Sequence, residues 1–309
     1  MSTRIAQSAR IIEFLKVASG LTSDQGSPRA KLIIHRLLSD LFKAIDDLDI
    51  TPDEFWAGVS YINDLGAAGE AGLLAAGTGL EHFLDLRMDA ADAAAGVELG
   101  TSRTIEGPLY VADAPLCEGK ARLDDGSDKG RMLVMHGVVR DNDGNPLAGA
   151  IVDVWHANTK GMYSFFDKHQ SAYNMRRRIK TDANGRYEFQ TILPSGYGCP
   201  PDSATQAFLN AIGRHGQRPA HIHFFVSAPG QRQLTTQINI AGDKYLHDDF
   251  AFATRDDLIP DVVERADADA LRAHGLTEPF AEIQFDFVMT SLAEHVPDTE
   301  VQRRRAEAA

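Results

Sequence analysis

Met132-Leu133-Val134-Met135-His136-Gly137-Val138-Val139, then Asp141-Asn142-Asp143-Gly144-Asn145-Pro146, then Ala150-Ile151-Val152-Asp153-Val154-Trp155 set the architecture of this 309-residue chain. Two apolar, partly β-branched runs of strand length flank six residues that favour a tight turn, which is the pattern of a β-hairpin. The same grammar recurs on either side. Asp182-Ala183-Asn184-Gly185 forms a second turn before the run Tyr187–Ile192. His221–Val226, Leu234–Ile240 and Ala281–Met289 each have strand composition. Many short strands with few long helices between them predict a mainly β fold, an antiparallel sandwich or barrel.

Upstream of Gly100 the pattern is helical. Leu32, Ile33, Leu37, Leu38, Leu41, Phe42, Ile45 and Leu48 recur at mostly three- and four-residue steps and lay one apolar stripe along a helix over 31–48. A second helix begins with Thr51 as N-cap, Pro52 at its first position and Glu54 three residues after the cap. A third segment, Glu70–Ala94, is rich in Ala and Leu, with Gly77 and Gly79 weakening its middle. These readings predict a helical part over 1–100, a β part over 101–292, and a polar surface tail over 293–309 that contains Arg303-Arg304-Arg305.

Composition narrows the function. The chain carries 31 Lys and Arg against 44 Asp and Glu, a formal charge of −13, so neither nucleic acid nor an anionic membrane surface is an expected partner. No apolar run reaches the roughly 20 residues of a membrane span, and the N-terminal residues lack the apolar core of a secretory leader. The two cysteines, Cys117 and Cys199, are too few for a disulfide framework. A cytoplasmic protein with free thiols is expected.

The most informative short motif is Arg218-Pro219-Ala220-His221-Ile222-His223. On a strand, side chains at i and i+2 share a face, with Cβ atoms about 6.6 Å apart. His221 and His223 so placed can close on one metal ion; equally, one can cap a polar edge while the other packs in the core. Tyr163, in Gly161-Met162-Tyr163-Ser164, and Tyr197, in Gly196-Tyr197-Gly198-Cys199-Pro200, sit beside glycines that let the backbone turn tightly. Read alone, each is also compatible with a loop aromatic packed on the end of the sandwich. A metal-free sandwich that binds a small molecule or a partner protein is the competing reading.

Those motifs resemble the intradiol ring-cleaving dioxygenases, and within them the catechol 1,2-dioxygenase branch. Further carriers of the resemblance are Ile105-Glu106-Gly107-Pro108-Leu109-Tyr110, Val154-Trp155-His156-Ala157-Asn158, Gly213-Arg214-His215-Gly216, Leu234-Thr235-Thr236-Gln237 and Asp248-Asp249-Phe250-Ala251. The resemblance spans nearly the whole chain. It implies a β-sandwich catalytic domain and a homodimer built through the N-terminal helices, in some members with lipid held among them. Non-haem Fe(III) would be bound by Tyr163, Tyr197, His221 and His223. Catechol and O2 would be the substrates and cis,cis-muconate the product, a reaction of the β-ketoadipate route of aromatic catabolism.

The same resemblance assigns further roles. Tyr197 leaves the metal and takes a proton from catechol, Arg218 steadies negative charge on the ring, and Gln237 lies near the metal. Leu73, Ile105, Pro108, Leu109, Phe250 and Ala251 are the implied walls of an apolar slot, with Ala76 leaving room for a ring substituent. Two phenolates suit a hard trivalent ion better than a ferrous one. His156 and His215 are expected to be structural, and Arg176-Arg177-Arg178 to form salt bridges at the rim. Substituted-catechol, hydroxyquinol and protocatechuate enzymes are the near alternatives.

Overall fold

A computed structural model describes residues 4–292 together with 301, 303 and 305–307. The chain divides into two compact units, Met1–Ala68 and Gly69–Ala309.

In the first unit, α1 (Ala9–Ala18) packs against α2 (Pro28–Leu48), and α3 (Pro52–Ala68) follows. Ser27 caps α2, with Pro28 at its first position. The capping box expected at α3 is formed: Thr51 N–H donates to Glu54 at 2.8 Å, and Glu54 N–H donates to the Thr51 hydroxyl at 3.3 Å. No residue of α2 is buried; its stripe leaves Leu32, Leu37, Leu41 and Leu48 exposed. The helix over 9–18 was not evident from the sequence pattern.

The segment Glu70–Ala94 is two helices, α4 (Ala71–Gly77) and α5 (Leu80–Ala94), which break at Thr78 and Gly79. Both belong to the second unit. So the change from helix to strand falls between Ala94 and Val111, whereas the boundary between compact units lies earlier, after Ala68. The reason is electrostatic. Asp85, Asp89 and Asp92 lie along one side of α5. Asp89 meets Arg103 at 2.8 Å and Arg255 at 3.1 Å, and Asp92 takes Arg232 through two hydrogen bonds of 3.0 Å as well as Arg103.

Two sheets make the sandwich. The first runs, edge to edge, Leu234–Asn239, His221–Ser227, Ile151–His156, Arg176–Lys180 and Leu116–Glu118. The second runs Val263–Arg265, Phe280–Gln284, Met132–Asp141, Arg186–Ile192 and Lys120–Arg122, with Phe287–Met289 also pairing on Met132–Asp141. Their central pairings are antiparallel; the strands at 116–118, 120–122, 280–284 and 287–289 join in parallel. Inward residues of both sheets interdigitate in one core: Phe224 of the first meets Phe287 of the second with ring centroids 5.0 Å apart, and Phe189 at 6.4 Å.

The hairpin expected over 132–155 is not formed. Its turn exists, with Gly144 N–H donating to Asp141 O at 3.0 Å, but the two strands enter different sheets. The turn before Tyr187 does the same, carrying the chain from Arg176–Lys180 to Arg186–Ile192. These two corners nest. Val139 N–H donates to Gly185 O at 2.8 Å, and a Cβ on Gly185 (φ +71°) would stand 2.7 Å from Val139 O and 2.9 Å from Leu147 N. A run such as Val152-Asp153-Val154-Trp155 is buried on both faces, so it needs cover on each side, which a lone hairpin does not supply.

Of the tail expected over 293–309, residues 293–300, 302, 304, 308 and 309 lie outside the described residues. The described part is bound: Arg303 and Arg305 pair with Glu106, and Ala306–Glu307 pairs in parallel with Val111–Ala112. Among the described residues, no helix is long and apolar enough to cross a membrane.

Removing a partner from a buried ion pair leaves an uncompensated charge. Asp92 and Arg232 are 3% and 5% exposed. Asp92→Ala is therefore expected to cost about 3–5 kcal/mol, read as a lower urea midpoint at unchanged slope.

Candidate active site

Strand period places the histidines. Along His221–Ser227, residues Ile222, Phe224 and Val226 enter the core, so His221, His223 and Phe225 point to the outer face of the first sheet. Register then chooses their neighbours: His223 stands opposite Gln237 on one side and Trp155 on the other, and His221 stands opposite Asn239. Trp155 stacks on His223 with centroids 4.9 Å apart and planes within 5°. His221 donates its Nδ1–H to Pro219 O at 2.6 Å, which leaves Nε2 as an acceptor facing outward.

Loops bring the tyrosines to the same point. Tyr163 Oη lies 3.3 Å and Tyr197 Oη 3.4 Å from His221 Nε2, and His223 Nε2 lies 3.1 Å from it. The two tyrosine loops touch at Gly161 (φ +75°), where an added Cβ would stand 2.5 Å from Tyr197 Cβ. Arg176 braces the first loop, donating from Nε to the Ser164 hydroxyl at 2.8 Å and from Nη2 to Ser164 O at 3.1 Å. All four donor-bearing side chains except Tyr197 are buried.

Among the described residues, no three His, Cys, Asp or Glu side chains converge on a metal-sized point. The cluster appears only when phenol oxygens are counted as donors. Donor atoms about 3 Å apart fit around one first-row ion at its usual distance of about 2 Å. Burial, and next Tyr197, push the Tyr163 phenol well above its ordinary pKa, while burial and Arg218 hold His221 down to about 3. Both groups are thus neutral without an ion. A trivalent cation at bonding distance reverses the preference of the phenol, as bound metals do for water and thiols. The donor set fits such an ion.

Arg218 is 4% exposed and pairs with Asp249. Its Nη2 also donates to Gln237 Oε1 at 2.9 Å, and its Nη1 lies 3.0 Å from His221 Nε2. Gln237 Nε2 donates to Asn239 Oδ1 at 3.1 Å, so Gln237 touches the arginine directly. Asp249 belongs to a quoted motif, yet nothing in the local sequence marked it as the partner of Arg218, 31 residues away.

The apolar residues divide. Ile105, Phe250 and Ala251 are buried in one cluster with Ala76, and Leu73 packs against it. Leu109 instead joins Trp155, Tyr163 and Phe225, with Tyr197. Pro108 is exposed, across from Gly72. A cavity of about 600 Å³ lies along α5, lined by Leu80, Leu84, Met88 and Leu99; it shares Ile105 with the cluster and contains none of the four donors.

A Dioxygenase profile matches residues 105–291, and a Catechol dioxygenase N terminus profile matches 27–96. The catechol 1,2-dioxygenase of Acinetobacter baylyi is 58% identical over 308 residues, 99% of each chain. The chain belongs to the intradiol ring-cleaving dioxygenases. This dioxygenase superposes on the catechol 1,2-dioxygenase of Acinetobacter sp. ADP1, solved with bound mercury, at a TM-score of 0.96, covering 99% of this chain and 100% of that one at 58% identity. Its TM-score against the Pseudomonas arvilla C-1 catechol 1,2-dioxygenase is 0.94 at 56% identity, covering 98% and 99%.

Other motif residues of the dioxygenase are held by hydrogen bonds away from the four donors. His215 lies 2.9 Å from the Asp248 carboxylate and accepts the Gln217 N–H at 3.1 Å. The arginine run forms fewer salt bridges than expected: Arg176 and Arg177 are hydrogen-bonded to Ser164 and to backbone carbonyls, and Arg178 meets Asp113 only at 3.9 Å while donating to Ala114 O at 2.7 Å.

His156 donates to Ala157 O at 2.7 Å and accepts from the Thr191 hydroxyl at 2.8 Å. Burial, the main cause, drives its pKa down to about 4. Unfolding returns it to about 6.5, so the unfolded chain binds the extra proton between these values. The neutral ring contributes its full stability above pH about 6.5, and that contribution, about 3 kcal/mol, is lost as pH falls toward 4. His156→Gln is expected to flatten this limb in unfolding measured from pH 7.5 to 4.

Proposed function

We propose that this dioxygenase cleaves catechol with O2 between its two hydroxylated carbons to give cis,cis-muconate, all atoms of both substrates being retained. Fe(III) is held by Tyr163, Tyr197, His221 and His223. The observation that carries the reading is the meeting of two phenol oxygens and two imidazole nitrogens within 3.1–3.4 Å of His221 Nε2 or, for that atom, of its neighbours. The bound ion would polarise a chelated catechol and draw electron density from it.

The chain's own residues account for the rest. Catechol would have to lose two protons to bind such an ion as a dianion; the oxygen of Tyr197, the less buried of the two phenols, would accept one of them and solvent hydroxide the other. Arg218 stays protonated: although burial opposes its charge, Asp249 and the two tyrosines raise its pKa above the ordinary value. It thus presents a fixed cation where negative charge grows on the ring, and such preorganised charge is a large catalytic term. Gln237 holds one edge of that guanidinium. Ile105, Phe250, Ala251 and Leu73 supply the apolar wall that orients the ring and excludes water.

We place the enzyme in the cytoplasm and in aromatic catabolism, in keeping with two free cysteines. We also propose a homodimer through the N-terminal helices. Its support is the uncovered stripe of α2, where Leu32, Leu37 and Leu48 are 57%, 59% and 73% exposed. The same apolar side chains would form the wall of a lipid site.

Purified protein is expected to be red, from phenolate-to-iron charge transfer, with the band shifting when catechol is added without oxygen. Tyr163→Phe should lose both colour and iron while its far-ultraviolet circular dichroism stays unchanged. Colourless, iron-free protein that still turns over catechol would sink the reading, and preferred turnover of hydroxyquinol would reassign the substrate. Mass measurement at micromolar concentration should give twice the chain mass of 33.7 kDa; a monomer would contradict the dimer.

A further inference from the structure

Arg218 has five N–H groups, and Asp249 and Gln237 take three of them. Nε donates to Asp249 Oδ1 at 3.1 Å, and Nη2 donates to Asp249 Oδ2 at 3.1 Å and to Gln237 Oε1 at 2.9 Å. Only Nη1 is left to face the donor cluster, 3.0 Å from His221 Nε2. Asp249 does more than pair. Its Oδ1 also accepts the Ala251 N–H at 3.0 Å, and its Oδ2 the Ala253 N–H at 3.3 Å. Each carboxylate oxygen therefore takes one guanidinium hydrogen and one backbone hydrogen. The Asp249 side chain is 1% exposed and that of Arg218 is 5% exposed.

We propose that Asp249 is a positioning residue for ring cleavage: it fixes the plane of the Arg218 guanidinium so that Nη1 alone addresses the reacting ring. The same carboxylate ties that cation to the turn carrying Phe250 and Ala251, the apolar wall. A two-point carboxylate–guanidinium contact sets direction as well as attraction, which a single acceptor such as Gln237 cannot do. Without it the cation keeps its charge but loses its aim. This inference rests on the role of Arg218 given above.

A double-mutant cycle tests it. Asp249→Asn keeps the size of the side chain and one acceptor oxygen. It is expected to lower kcat for catechol by about 10- to 100-fold, the usual effect of removing a supporting partner of a site residue. In an Arg218→Ala background the same change should move kcat by less than about threefold, because there is no guanidinium left to orient. Equal losses in both backgrounds would overturn the proposal and leave Asp249 as an anchor of the 250–253 turn only. An unchanged kcat in the single variant would overturn it as well. If Asp249→Asn does not fold, Asp249→Glu, which retains the charge but shifts it by one methylene, takes its place in the same cycle with the same expectations. Anaerobic catechol titration of the iron band reports binding separately: a loss confined to KM, with kcat intact, would also count against the proposal. Wild-type enzyme that never turns over catechol would instead sink the functional reading, and this inference with it.

Discussion

Two phenol oxygens and the His223 Nε2 sit 3.1–3.4 Å from His221 Nε2 in a region where most of the surrounding side chains are buried. The single lone pair of His221 Nε2 can accept one good hydrogen bond, yet two phenols, the Arg218 Nη1 and the His223 Nε2 all crowd it, so neutral groups gain little from this arrangement. Burial also opposes ionising either kind of ring, which lifts the Tyr163 phenol and lowers both histidines. A multivalent cation turns each of these costs into a bond. The rest of the structure can be understood as scaffolding that keeps four donors in place.

That scaffolding is mostly the outer face of one sheet. Alternation along His221–Ser227 sends one set of side chains into the sandwich core and the other toward the site, so the strand that anchors the core also carries half of the donor cluster. Cross-strand register supplies Trp155 and Gln237 as immediate neighbours of His223. The two nested corners at 141–149 and 181–185 fix how the sheets face each other, and therefore where that outer face lies. Helix α5 is fastened by aspartates to arginines from three places in the chain, and it belongs to the second compact unit.

Charge is arranged in the site as a chain of supports. Asp249 faces Arg218, Gln237 faces Arg218, and the arginine faces His221. None of these contacts is near in sequence except the last. Each link satisfies a buried polar group whose solvation was lost on folding, so the arrangement that aims the cation also removes an energetic penalty.

The sequence by itself carried the residue types and the local periods. His221 and His223 two apart on a strand, the Thr51 capping box, the α2 stripe and the weak point at Gly77–Gly79 were all legible, because each depends on neighbours within one turn of helix or two steps of strand. The resemblance named the tyrosines, while spacing alone left them as loop aromatics. Tertiary structure decided which strands pair. It sent the two runs around Asp141–Pro146 into opposite sheets, split the pocket residues into two clusters with Pro108 exposed, and matched Asp249 to Arg218 across 31 residues. Strand partners are chosen by how both faces of each strand are covered, and cover comes from parts of the chain that no local window contains.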